Sequence, residues 1–362
     1  MRIIQILPTL VRGDAVGNNA LLLHRIFEEE GYCSRIYAEN FGPDTSLPGV
    51  FPASVIPDDF GKTDILIYHL ATAWDFIYHI ERYSCKKVMI YHNVTPVDFF
   101  IPYNRDASNL VLTARRQMHY LSNSFDYCLA DSEYNKQELI DAGYSCEIDV
   151  MPIFIPFEDY QKTPDVKTIQ KYSDSKVNFL FVGRIAPNKK QENIIAAFYL
   201  YKKYFNSKAR LILIGGDGGF ENYKYQLRQY IHKLGLGKDV VFPGHISFAE
   251  ILAFYTVSHL FVSMSEHEGF GVPLIEAMAF DLPIIAYASS AVPETLGDGG
   301  FLVEEKNPLE IAAIANEILT NDHLRAFYAE KQKQILEKME SKRLRSLLKM
   351  YLQKIEAMER AE

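Results

Sequence analysis

Two carboxylates, Glu268 and Glu276, stand with seven residues between them in the run Glu-His-Glu-Gly-Phe-Gly-Val-Pro-Leu-Ile-Glu-Ala-Met-Ala at 266–279. The preceding His-Leu-Phe-Val-Ser-Met-Ser (259–265) reads as a buried strand, and Pro273 suits the first position of a helix. The turn Gly269-Phe270-Gly271-Val272 therefore presents backbone amides at a helix N-terminus, which is an anion site with a carboxylate on either side. A phosphate would take the amides, and the two carboxylates could accept hydrogen bonds from hydroxyls of two flanking sugars. A nucleotide sugar has that layout: hexose, diphosphate, ribose. The plain alternative is a solvated loop carboxylate at 268 and a helix-face carboxylate at 276.

The run resembles the E-x7-E motif of retaining glycosyltransferases of the GT-B fold, above all the large family 4 group (glycosyl transferases group 1). The resemblance continues through Asp-Leu-Pro-Ile-Ile-Ala-Tyr (281–287) and Ala-Val-Pro-Glu-Thr-Leu-Gly-Asp-Gly-Gly (291–300). A second cluster, Phe181-Val-Gly-Arg-Ile-Ala-Pro-Asn-Lys189-Lys190-Gln, directly follows a strand and so lies at the carboxyl edge of a sheet, where α/β folds bind ligands. Arg184 offers a planar fork to phosphate oxygens and Lys189 a mobile point charge. Their spacing is similar to the family's G-R-x-x-x-x-K pattern, which implies that both bind the donor diphosphate. Lys190 reads as an ordinary exposed loop residue.

Near the N-terminus, Arg12-Gly13-Asp14-Ala15-Val16-Gly17-Asn18-Asn19 joins a first strand to a first helix. Gly17 would let the backbone approach a ligand closely, and the spacing is not the G-x-G-x-x-G of a dinucleotide-binding oxidoreductase. The resemblance makes Gly17 a donor-phosphate contact and Asp14 a candidate acceptor contact; helix capping is the plain role for Asp14 and Asn18. Lys87-Val-Met-Ile-Tyr-His92 places a histidine just past a buried strand. Its position resembles that of the family histidine that hydrogen-bonds the transferred sugar, which implies contact of His92 with the sugar's C6 region. His69 ends the preceding strand and reads as structural.

These motifs need a parallel α/β scaffold, and the chain alternates short apolar runs with helical patterns throughout. Strands are expected at 3–7, 65–69, 87–91 and 127–130, with a helix at 18–30 and Ser132 capping another; a second series follows at 179–182, 211–214, 240–242, 260–263 and 284–287. Ser247-Phe-Ala-Glu250 is a capping box. The fold class is α/β, with two Rossmann-like domains facing across a cleft as GT-B implies: an acceptor-binding domain over 1–155, a nucleotide-sugar domain over 156–340, and a final helix over 341–362 that crosses back to the first domain.

Composition agrees with an ordinary globular chain: 362 residues, 48% hydrophobic and 23% charged, enough for two cores. Residues 1–160 hold 12 Lys+Arg and 22 Asp+Glu, a charge of -10 that leaves +2 for the rest of the net -8, and a nucleic-acid footprint is excluded. Cys33, Cys85, Cys128 and Cys146 form no C-x-x-C pair and read as reduced thiols of a cytoplasmic protein. No run reaches the roughly eighteen apolar residues of a membrane span. The apolar loop Asp98-Phe-Phe-Ile-Pro-Tyr103, followed by Arg105, Arg115 and Arg116, is either core packing or a peripheral membrane contact at the inner face of the membrane.

The resemblance implies a retaining transferase that moves a hexose from a nucleotide diphosphate sugar to a saccharide or lipid-linked saccharide in surface-polysaccharide assembly. His92, Arg184, Lys189 and Glu268 would serve catalysis; Asp14, Gly17, Phe270, Gly271, Val272 and Glu276 would bind substrate, with Glu276 on the ribose. No cofactor beyond the donor and no metal is expected, since the chain has no Asp-x-Asp carboxylate pair in the inferred donor domain. A non-catalytic nucleotide-sugar-binding or scaffold protein, or an epimerase or sucrose-synthase-like enzyme of the same fold, shares these features.

Overall fold

The computed structural model describes residues 1–43 and 45–358 and packs as two units, Met1–Val97 with Ser108–Pro156 and Met339–Glu362, and Asp98–Ala107 with Phe157–Lys338. The last four residues of the expected final helix lie outside the described residues.

The first unit contains β1 (Arg2–Leu10), α1 (Ala15–Glu29), β2 (Cys33–Phe41), β3 (Val50–Pro52), β4 (Ile65–Leu70), β5 (Lys86–Tyr91), most of α2 (Arg105–Tyr120), β6 (Tyr127–Ala130), α3 (Glu133–Asp141) and β7 (Glu147–Val150). All seven strands run parallel in the order β3-β2-β1-β4-β5-β6-β7. β1 and β4 are apolar at most positions because helices cover both faces of such a sheet, and both are buried almost throughout. The strand order reverses between β1 and β4, so the carboxyl ends of these two strands open the crevice where α/β sheets take ligands.

The second unit repeats the design with α4 (Val166–Tyr172), β8 (Val177–Val182), α5 (Gln191–Tyr204), β9 (Ala209–Ile214), α6 (Glu221–Lys233), β10 (Val240–Gly244), α7 (Phe248–Val257), β11 (Leu260–Ser263), α8 (Val272–Ala279), β12 (Ile284–Tyr287), α9 (Val292–Leu296), β13 (Phe301–Val303), α10 (Pro308–Thr320) and α11 (Asp322–Lys338). Its six parallel strands order as β10-β9-β8-β11-β12-β13, with the reversal between β8 and β11. The capping box of Ser247 and Glu250 opens α7, and Ser132 caps α3.

The final helix, α12 (Ser341–Ala357), packs in the first unit. Leu344, Leu348, Tyr351, Leu352 and Ile355 form its buried stripe at helical spacing. The Tyr351 hydroxyl donates to the Val150 carbonyl at 2.9 Å, and Lys354 reaches Glu147 at 2.7 Å and Asp149 at 2.8 Å.

Two differences from the sequence expectation concern boundaries. Residues 98–107, expected in the first domain, pack with the second unit, because Phe100 is buried there against Phe220 with ring centroids 4.7 Å apart. Strands β2, β3, β7 and β13 were not expected: β2 carries Ser34, Arg35, Glu39 and Asn40, β7 carries Glu147 and Asp149, and β3 and β13 are three residues long, too short for a period to declare itself.

Candidate functional site

In the second unit, the loop after β8 and the loop after β11 leave adjacent strands at the point where the order reverses. A Cβ on Gly215 would lie 2.0 Å from the Gly183 carbonyl oxygen, so the close approach of the β8 and β9 ends requires glycine. Arg184 follows, its guanidinium carbon 5.7 Å from the Phe100 ring centre and 5.4 Å from that of Phe220. These rings orient the planar group while the residue as a whole stays exposed. A short 3-10 turn, Pro187–Lys189, then leads to Lys190 in the left-handed region (φ 51°), which turns the chain into α5.

Lys189 ends that turn with its Nζ 2.6 Å from Glu268 Oε2, both side chains largely shielded at 17% and 16% exposure. The two motif loops are therefore joined by an ion pair between the residues expected to hold diphosphate and sugar. The Glu266 amide donates to the Asn188 carbonyl at 2.8 Å, so the two loops are also tied through the backbone, and the Glu268 amide donates to Ser290 Oγ, in the loop after β12, at 2.8 Å. Lys190 is not simply a solvated loop residue; it pairs with Glu266 at 3.3 Å.

Helix α8 begins at Val272 behind Gly271, which adopts φ 93° as its N-cap. Pro273 is thus the second helical residue, one place later than expected. Among the described residues no side chain caps this end, and its first turn holds no acidic residue, which keeps the positive end of the helix available to an anion. Glu276 accepts hydrogen bonds from the Tyr160 hydroxyl at 3.1 Å and the Tyr255 hydroxyl at 2.8 Å, one on each carboxylate oxygen. Burial raises its carboxyl above the usual range, and the two phenols pull it part of the way back. Neither tyrosine was singled out from the sequence, because each is distant in the chain from Glu276 and is otherwise an ordinary aromatic.

In the first unit, Asp14 is the N-cap of α1 and accepts from the Gly17 amide at 2.6 Å. Its carboxyl is raised by burial, against the Gly17 bond and the charge at His92. The expected reason for Gly17 changes: a Cβ there would lie 2.0 Å from the Val11 carbonyl oxygen, so the glycine is required by the chain's own packing, and its amide is already taken by Asp14. Asn18 does not cap the helix but accepts from the Gly13 amide at 3.0 Å.

His92 lies just past β5, with its side chain 1% exposed. Its Nδ1 is 2.8 Å from Asp131 Oδ2 and its Nε2 is 2.9 Å from Nδ1 of His69. Both ring nitrogens are engaged inside the unit, so the expected hydrogen bond to a sugar requires one of these contacts to be exchanged. His69 is fully buried, as the structural reading held, and its Nε2 contacts Gln5 Oε1 at 2.9 Å. Gln5 and Asp131 carried no signal of their own in the sequence.

In the 98–103 loop, Phe100 is 2% exposed and Ile101 61% exposed, so packing accounts for the first and not the second. Arg115 bonds the Val94 carbonyl at 2.7 Å and Glu138 at 3.1 Å. The thiols of Cys128 and Cys146 are 3.5 Å apart, a proximity invisible in their spacing. Among the described residues no cluster of three His, Cys, Asp or Glu side chains is placed to hold a metal ion, and no helix is long and apolar enough to cross a membrane.

Residues 162–335 match the family described as glycosyl transferases group 1. The chain is 23% identical over 258 residues to O-antigen chain mannosyltransferase B of Escherichia coli; the match covers 68% of this chain and 65% of that relative, just under two thirds of its length. Sucrose-phosphate synthase from Thermosynechococcus elongatus has a similar structure, with a TM-score of 0.78 at 16% identity, over 99% of this chain and 100% of that one. The Anabaena protein HepE, solved in complex with UDP and glucose, matches with a TM-score of 0.76 at 17% identity, over 98% of this chain and 100% of that one. The fold is GT-B, with two Rossmann-like α/β domains.

Proposed function

We propose, for a chain whose residues 162–335 match the family glycosyl transferases group 1, that it is a retaining glycosyltransferase moving a hexose from a nucleotide diphosphate sugar to a saccharide or lipid-linked saccharide hydroxyl. The observation that carries this reading is the meeting of Arg184, Lys189 and Glu268 beside the uncapped α8 at the strand-order reversal of the second sheet. Two cations and a helix N-terminus suit a diphosphate whose charge grows as the glycosidic bond breaks, and they favour the transition state over the ground state. Lys189 exchanges its Glu268 partner for phosphate oxygen, which releases Glu268 to accept from the sugar hydroxyls. Glu276, held by Tyr160 and Tyr255, accepts from the ribose through its remaining lone pairs.

With the leaving phosphate oxygen taking the acceptor proton on the same face, no protein nucleophile and no divalent ion is required. The first unit supplies the acceptor side, with Asp14 as a contact. The name of the Escherichia coli relative favours mannose as the hexose and a surface polysaccharide as the product, with the protein working from the cytoplasm at the membrane's inner face. The test is a thermal-shift screen of GDP-mannose, UDP-glucose and ADP-glucose, followed by transfer of the labelled sugar of the stabilising donor in the presence of EDTA. A retained anomeric configuration in the product is expected. Donor binding without transfer or hydrolysis, with every acceptor class tried, overturns the enzyme reading in favour of a binding protein; activity abolished by EDTA and restored by manganese overturns the metal-free mechanism.

A further inference from the structure

Four buried side chains from the ends or middles of adjacent strands form one hydrogen-bonded row across the first sheet. Gln5 lies in β1, His69 in β4, His92 just after β5 and Asp131 just after β6. The direction of each bond can be assigned from one end. The Gln5 amide nitrogen donates to the Ala20 carbonyl at 3.1 Å, and a carbonyl can only accept, so Gln5 Oε1 faces His69 and must accept from it. His69 Nε2 therefore carries a hydrogen.

The next two contacts, His69 Nδ1 to His92 Nε2 at 2.9 Å and His92 Nδ1 to Asp131 Oδ2 at 2.8 Å, each need a hydrogen as well. Three contacts need three protons, and two neutral imidazoles bring two. The row thus holds one proton more than two neutral histidines and a carboxylate would. Burial, and then the charge at His92, hold His69 well below the usual histidine range, so the extra proton does not belong to His69. Burial also raises the Asp131 carboxyl against the pull of His92, and its Oδ1 is buried without a hydrogen-bond partner among the described residues, both of which favour a proton shared with Asp131 over a bare carboxylate. The two ring planes are parallel within 2°, and the His92 amide continues the ladder to the Leu70 carbonyl at 2.9 Å, so ring and backbone are fixed together.

We propose that Asp131 is a positioning residue: together with His69 it locks the His92 ring and keeps one proton on the His92–Asp131 pair, so that His92 cannot take the proton of an acceptor hydroxyl. The catalytic part of this inference rests on the transferase reading above, whereas the shared proton does not. His92 then has no free lone pair, and the base for the acceptor must be another group, in keeping with a donor phosphate oxygen.

The experiment uses the full chain labelled with nitrogen-15 in its histidine rings, with His92→Gln assigning the signals. The expected spectrum shows a hydrogen on His92 Nε2 and a strongly downfield proton bonded to or shared at Nδ1, which Asp131→Asn removes. In the same variant kcat, donor KM and nucleotide affinity all stay within about two-fold, because neither nitrogen of His92 is offered to the substrates. A His92 ring with an unprotonated Nε2, or a downfield proton that persists in Asp131→Asn, overturns the proposal. Should that variant fail to fold, the spectrum of the unsubstituted chain decides the proton count. A chain that shows the downfield proton but transfers no sugar from any donor refutes the transferase reading and leaves the shared proton established.

Discussion

The ion pair between Lys189 and Glu268 makes Glu268→Gln the most discriminating substitution, because it moves binding and turnover in opposite directions. In the free protein the Lys189 ammonium is 2.6 Å from a carboxylate that partly neutralises it. A diphosphate must displace or share that partner. A pair at 17% and 16% exposure belongs at the upper end of the range for surface ion pairs, about 1 kcal/mol. Removing the carboxylate frees the ammonium, so nucleotide diphosphate affinity should rise by roughly 5-fold. Turnover should fall, since a charge-assisted hydrogen bond to the sugar hydroxyls is worth about 1.5–3 kcal/mol, a loss of roughly 10- to 150-fold in kcat. Calorimetric titration with GDP and UDP, alongside transfer of labelled donor, reads both quantities. Weaker nucleotide binding, or unchanged kcat, would refute the assignment of Lys189 to phosphate and Glu268 to sugar.

Other substitutions probe the supports of the same site. Phe100→Ala should destabilise the protein by about 3 kcal/mol, as expected for a buried phenylalanine, and should also weaken nucleotide binding because Arg184 loses one of its two rings; a melting curve and a titration check each part. Ile101→Ser, by contrast, should melt with the parent and keep its transfer to a soluble acceptor, and it should lose vesicle binding if the loop meets a membrane; vesicle co-sedimentation decides. Lys354→Ala should flatten the acid limb of stability. Burial alone would raise the Asp149 carboxyl, but Lys354 and Tyr127 outweigh it and hold it below the usual range. The unfolded chain therefore binds the proton first on acidification, and this contribution, complete above about pH 4, is lost as pH falls through the folded value. Melting temperature measured from pH 5 down to pH 3 should drop less steeply in the variant than in the parent.

The sequence by itself determined the features that lie within one strand-turn-helix unit. Arg184 and Lys189 share the loop after β8, and Glu268 and Glu276 flank the start of α8, so short-range spacing and apolar strands were enough to declare them. Parallel α/β architecture was legible for the same reason: strands buried on both faces are apolar at most positions, and their helices have local caps. Strands β2 and β7 were not legible, because they carry polar residues that only their neighbours' pairing makes into strand.

Tertiary structure decided what each group faces. Parallel strands joined by crossovers bring their carboxyl ends side by side, and so Lys189 meets Glu268; Phe100 reaches Arg184, and Tyr160 and Tyr255 enclose Glu276, from turns and a helix outside those strand ends. The row of Gln5, His69, His92 and Asp131 is the extreme case, with every member from a different strand or its end. A strand-end histidine has one sequence signature whether its ring faces a ligand or another side chain. Only the register of four adjacent strands sets which, since it places a second imidazole and a carboxyl group within hydrogen-bonding distance of His92 and leaves its nitrogens no other partner.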